Sequence, residues 1–95
     1  MFRELDPLLH SQLRLGIMSI LMNLEEAEFT YIREKTGATA GNISVQIDKL
    51  KKAGYLTVEK TFRNNYPLTV CRKTKKGARA FEEYVEILKG YLGKH

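Results

Sequence analysis

Residues 39–54 read TAGNISVQIDKLKKAG, and both ends of a helix are written in these letters. Thr39 can cap: its hydroxyl accepts a hydrogen bond from an orphan backbone N–H of the first turn. Ile43, Ile47 and Leu50 follow at spacings of four and three, one face of a 3.6-residue repeat. Gly54 stands where the chain must leave the helix, at the left-handed position that costs glycine least. The pattern predicts a helix over 39–53. Opposite the apolar stripe lie Ala40, Gly41, Asn42, Ser44, Val45, Gln46 and Lys49, with no acid before Asp48. A face meant only for solvent would carry Glu and Lys. This one is small and hydrogen-bonding, suited to lie close against another surface.

The surrounding charge says what kind of surface. The net charge is +5. Residues 1–37 hold four basic and six acidic side chains, residues 38–79 ten and two, and residues 80–95 two and three. The local balances are therefore −2, +8 and −1, and the positive charge begins at the helix just described. Such a concentration is the footprint of a polyanion-binding face. The alternative is a solvated basic face with no partner.

With 95 residues, 43% apolar and 28% charged, the chain suits a single globular domain over 1–95 with one modest core. Cys71 is the single cysteine, which excludes an intrachain disulfide and a cysteine-based zinc site. Glu4 and Asp6 precede the first apolar run, unlike the basic start of a signal peptide. The richest apolar stretch, 13–24, is broken by Arg14, Ser19 and Asn23, too short and polar to span a bilayer. A reducing cytoplasmic setting without membrane contact is the expectation.

Asp6 as N-cap and Pro7 in the first turn predict a first helix over 6–24. It carries two apolar stripes, one through Leu9, Leu13, Ile17, Ile20, Leu21 and Leu24, the other through Leu8, Leu15, Met18 and Met22. Two stripes mean a central core helix or one that also meets a partner chain. His10 and His95 are the only histidines and have no obvious co-ligands, so a surface role is expected and no metal site. Residues 25–28 read as an acidic break. Thr30 would cap a short helix over 30–36, ended by Gly37, and the tight turn to Thr39 completes a helix-turn-helix spacing.

After Gly54 the period changes from 3.6 to 2. YLTVEKTF (55–62) and LTVCRKT (68–74) alternate as strands, and 63–67, RNNYP, is turn material. This predicts a hairpin over 55–74 with a loop of about five residues. Its tip holds Arg63, Asn64 and Asn65, its arms Lys60, Arg72 and Lys73. After a basic recognition-type helix such a hairpin reads as a wing; the alternative is an exposed hairpin whose charges block edge pairing. Thr74 caps a last helix over 75–92, again with two stripes: Phe81, Val85, Leu88 and Leu92, and Ala80, Tyr84, Ile87 and Tyr91. One stripe can pack on the domain. The other would meet a second copy, unless the two form one wide core-facing stripe. The fold class is α+β, mostly helical: three helices, a hairpin and a C-terminal dimerisation helix.

Three segments, HSQLRLGIMSIL (10–21), FTYIREKTGATAGNISVQIDKLKKAGYLTVEK (29–60) and TKKGARAF (74–81), resemble the winged helix-turn-helix transcriptional regulators of the MarR/ArsR type, closest to their short stand-alone members. The resemblance covers nearly the whole chain. It implies a recognition helix in the major groove of double-stranded DNA, a wing tip reaching toward the minor groove and a homodimer through the first and last helices. On the positions of this sequence, Ala40, Gly41, Asn42, Val45 and Gln46 would face bases; Thr39, Ser44 and Lys49 would face the backbone; Arg63, Asn64 and Asn65 would form the wing tip, with Lys60 and Arg72 on its arms. Leu8, Leu15, Met18, Tyr84, Ile87, Leu88 and Tyr91 would make the dimer contact. Gly41 and Val45 depart from the basic or polar residues often found at those positions, which leaves Val45 a thymine methyl to touch. The cysteine-rich box of metal-sensing members is missing, so no metal or other cofactor is expected.

Three rival readings stand beside this one. A protein-binding winged helix shares the fold, since fold does not determine function. RNA binding would call on exposed aromatics, and Phe62 and Tyr66 are the candidates near the wing. An enzyme is disfavoured: no glycine-rich phosphate loop, nucleophile–histidine arrangement or apolar acid pair is legible. Cys71, between Val70 and Arg72, is either a redox switch favoured by basic surroundings or a small strand residue.

Overall fold

The computed structural model describes residues 2–93; His95, considered above, lies outside the described residues. The order is α1 (Gln12–Asn23), β1 (Ala27–Glu28), α2 (Phe29–Thr36), α3 (Ala40–Lys52), β2 (Leu56–Arg63), β3 (Tyr66–Lys73) and α4 (Lys75–Tyr91). The strands form one antiparallel sheet in the order β1-β3-β2. Leu9, Ile17, Met18, Leu21, Ile32, Ile43, Leu50, Leu56 and Cys71 fill the centre, each essentially without exposure. The α3 stripe of Ile43, Ile47 and Leu50 belongs to this core, which is what turns the opposite face outward.

The first helix starts later than its sequence suggests. Asp6 caps only a turn: its Oδ1 accepts the Leu8 N–H at 2.9 Å, and its carbonyl takes the N–H groups of Leu9 and His10. Ser11 then adopts an extended conformation and is the N-cap, its hydroxyl accepting from the Arg14 N–H. A second serviceable cap five residues downstream wins because the chain turns between the two. The short helix α2 likewise begins at Phe29, with Glu28 in the cap position and no side-chain cap bond, so Thr30 lies inside the helix and does not cap it.

The acidic break is also a strand. Ala27 pairs with Cys71 and Glu28 with Val70, too short a run for alternation to reveal. The wing loop is tighter than expected: Arg63 pairs with Tyr66, so Asn64 and Asn65 alone make the turn. Both have positive φ, 50° and 69°, as a two-residue turn matching the strand twist requires; asparagine tolerates this better than other non-glycine residues. Pro67 is thereby inside β3, opposite Phe62. In a two-residue hairpin the closing pair, Arg63 and Tyr66, is hydrogen-bonded and the next pair, Phe62 and Pro67, is not, and β1 reaches only as far as Val70, so the missing N–H of Pro67 leaves nothing unpaired.

The second stripes of α1 and α4 are largely spent within the chain. Met18 is fully buried, and Tyr84 and Ile87 are 5% and 7% exposed. These three, expected at a dimer contact, are core residues of the protomer, because the C-terminal helix lies back over the first. Leu8, Leu15 and Leu88 are half-buried and Tyr91 is exposed.

Candidate nucleic-acid interface

The helix α3 is held at both ends by its own sequence. Thr39 Oγ1 accepts the Asn42 N–H at 3.2 Å. At the other end the Tyr55 N–H bonds the Leu50 carbonyl and the Gly54 N–H the Lys51 carbonyl, each at 2.9 Å, while Gly54 takes φ 81°. This is the Schellman closure that glycine permits. Thr39, Ala40, Gly41, Asn42, Ser44, Val45 and Lys49 are all exposed, and Gln46 is half-buried. A β-carbon at Gly41 would meet nothing within 4 Å, so the first turn presents bare backbone. Asp48, the one acid of this helix, is paired with Lys52 at 2.9 Å. Lys49, Lys51 and Lys52 crowd the last turn, where they suit the negative end of the helix dipole.

Gln46 is not a free side chain. Its Oε1 accepts from Arg14 Nη1 at 2.6 Å, and its Nε2 donates to Asn42 Oδ1 at 3.0 Å. Arg14 is itself fixed by donating Nε to the Leu8 carbonyl at 2.6 Å. In a continuous helix that carbonyl would have received the Gln12 backbone N–H; the break before Ser11 releases it for Arg14. Sequence reading did not foresee that Arg14 holds Gln46. The signal was an arginine inside an apolar run, and it served only to argue against a membrane span.

On the wing, Arg63 Nη2 meets Glu28 Oε2 at 2.9 Å. Arg72 bridges Glu26 at 2.5 Å and Glu59 at 3.4 Å; the hydrogen bond and charge of Glu26, then those of Glu59, favour its protonated form. Arg72 therefore ties β3 to β2 and to the segment just before β1, and is the least available of the expected wing contacts. Lys60 is exposed and makes no ion pair among the described residues. Asn64 and Asn65 are exposed at the tip, flanked by Phe62 and Tyr66 at 73% and 74% exposure.

Cys71 and His10 lie away from this face. Cys71 is fully buried, and burial pushes its thiol up to about 11, which disfavours the thiolate despite the basic neighbours; it packs as a core strand residue. His10 shares a 3.0 Å hydrogen bond with the Tyr84 hydroxyl, and no group of metal-ligating side chains occurs among the described residues. No helix among them is long and apolar enough to cross a membrane.

Residues 13–92 match the family described as the winged helix DNA-binding domain. An uncharacterized protein of Methanocaldococcus jannaschii is 35% identical over 80 residues, covering 83% of this chain and 87% of its own. Among solved structures, a transcriptional regulator homologue from Pyrococcus horikoshii superposes with a TM-score of 0.85 at 28% identity, covering 90% of this chain and 85% of that one. The apo form of MarR from E. coli gives 0.77 at 15% identity, covering 94% of this chain and 65% of its own, a likeness of fold. The chain belongs to the winged-helix DNA-binding domain family, and its architecture is that of the MarR-type transcriptional regulators and not of an enzyme.

Proposed function

We propose that this winged-helix protein is a homodimeric, sequence-specific transcriptional regulator, with α3 in the major groove of double-stranded DNA and the β2–β3 wing along the backbone toward the minor groove. The observation that carries the reading is the outer face of α3. It is exposed, built of Thr39, Ala40, Gly41, Asn42, Ser44 and Val45, and free of acids until Asp48. A major groove about 12 Å wide admits a helix, and small side chains let its backbone approach. Asn42 and Gln46 would bond base edges, and Val45 would touch a thymine methyl. Thr39, Ser44, Lys49, Lys60 and Arg63 would meet phosphates, with Asn64 and Asn65 at the wing tip. Arg72 would brace the wing.

Dimerisation rests on what the core leaves outside. Leu8, Leu15, Leu88 and Tyr91 keep accessible surface, and Phe2 (65% exposed) stacks on Tyr91 with ring centroids 4.5 Å apart, beside Leu92 at 64%. A two-fold dimer would present two copies of α3 about 34–36 Å apart, to successive major-groove faces of a pseudo-palindrome.

The test is a titration against random duplex DNA at two salt concentrations, with sedimentation to give the mass of the bound species. A dimer that binds and loses affinity steeply as salt rises bears the reading out. Absence of binding at low salt overturns it. The two exposed wing aromatics, Phe62 and Tyr66, would then favour the second reading, a protein-interaction module.

A further inference from the structure

We infer that Arg14, from outside the helix-turn-helix, sets the hydrogen-bond polarity of the reading residues, so that Asn42 and Gln46 select guanine over adenine. The inference rests on the DNA-binding reading above and names the base that reading leaves open.

The chain of bonds has one possible direction. A guanidinium only donates, so the atom of Gln46 that lies 2.6 Å from Arg14 Nη1 must be the amide oxygen. The Gln46 nitrogen then faces Asn42, whose oxygen must accept it at 3.0 Å. Each amide oxygen already holds a proton donor. Asn42, exposed, keeps both N–H groups, and Gln46 keeps one. Arg14 cannot drift from this arrangement, because its Nε is bonded to the Leu8 carbonyl at 2.6 Å and its own backbone N–H faces the Ser11 cap.

An isolated asparagine or glutamine reads adenine, using its oxygen for N6–H and its nitrogen for N7. That uses the oxygen as an acceptor, and an oxygen already holding a donor on one of its two lone pairs, as both do here, is the weaker acceptor for N6–H. Guanine offers only acceptors, N7 and O6, on its major-groove edge. Three free amide N–H groups, beside two oxygens each already holding one donor, favour the all-acceptor edge of guanine over the N6 and N4 amino groups of adenine and cytosine. Arg14 is thus a positioning residue: it acts through Gln46 and needs no contact with DNA.

The experiment is selection of bound duplexes from a randomised pool, followed by sequencing, for the parent and for Arg14→Leu, Arg14→Lys and Gln46→Glu. Melting curves check that each variant folds. The parent is expected to enrich guanine about tenfold at one position of each half-site, within the range of a good base contact. Arg14→Leu releases the Gln46 oxygen and shifts that position toward adenine. Arg14→Lys, still a pure donor, keeps guanine. Gln46→Glu retains a partner for Arg14 but turns Asn42 round, so its oxygen faces outward and the position shifts to cytosine or adenine. Adenine enrichment by the parent, or a preference unchanged in both Arg14→Leu and Gln46→Glu, overturns the inference while leaving DNA binding intact. Failure of the parent to retain any duplex at low salt overturns the DNA-binding reading itself.

Discussion

Gly77 lies against the carbonyl of Tyr55 so closely that a β-carbon at position 77 would stand 2.0 Å from that oxygen and 2.8 Å from its carbon. The contact seats the start of α4 on the exit from α3. Thr74, three residues earlier, completes the joint: its hydroxyl accepts the Gly77 N–H at 3.0 Å and donates to the Gly54 carbonyl at 2.6 Å, while its own N–H bonds the Tyr55 carbonyl at 3.1 Å. Gly77→Ala cannot be relieved by a side chain moving, because the obstacle is backbone. It should cost about 3 kcal/mol, the upper part of the overpacking range, and lower the melting temperature by roughly 15 °C in a domain of this size. Calorimetry of the variant checks this; a melting temperature within a few degrees of the parent would refute the contact.

Tyr55 also bonds in the other direction, its hydroxyl donating to Asp6 Oδ2 at 2.5 Å. Burial first, then the hydrogen bond and charge of Asp6 and the charge of Glu83, push its pKa up to about 12 from 10.0. A folded-state pKa above the unfolded one stabilises the protein fully below the unfolded value and ceases to do so as pH rises through the folded one. The parent should therefore exceed Tyr55→Phe in stability at pH 7, and the difference should vanish between pH 10 and 12. Urea midpoints measured for both across that window decide it.

Arg63 and Glu28 form the exposed ion pair at the base of the wing tip. Such a pair contributes little to stability, at most about 1 kcal/mol, but it competes with phosphate for the guanidinium. Glu28→Gln should tighten binding to all duplexes, and Arg63→Ala should weaken it for all sequences alike and lower the salt slope by about one. Equal affinities for both variants and the parent would remove Arg63 from the interface.

Cys71, fully buried and with its thiol pushed up to about 11, should resist a disulfide reagent at pH 7.5 in the folded protein and react at once in denaturant. Mild peroxide should leave DNA affinity unchanged. Rapid labelling of the native protein would restore the redox-switch reading.

Local chemistry accounts for what the sequence made legible. Thr39 and Thr74 are caps, Gly37 and Gly54 take φ of 72° and 81°, and the stripe of Ile43, Ile47 and Leu50 is buried as its spacing demands. The exposed α3 face was readable for the same reason: once the stripe is known, its opposite is known. The first helix was read too long because Asp6 and Ser11 both make good caps, and composition alone cannot choose between them. β1 escaped notice because two residues carry no period, and RNNYP read as a loop because its two asparagines hide a two-residue turn inside a longer polar run.

The sequence by itself determined the helices α2 to α4, the wing and the acid-free outer face of α3, because caps, glycine φ and side-chain period act within a few residues of the chain. Only the tertiary structure decided which apolar stripes remain outside and what Asn42 and Gln46 can offer. Met18, Tyr84 and Ile87 look like interface until α4 is laid over α1. The 32-residue separation of Arg14 from Gln46 is bridged by packing α1 on α3, and no local code records which amide oxygen that packing will bring against a guanidinium.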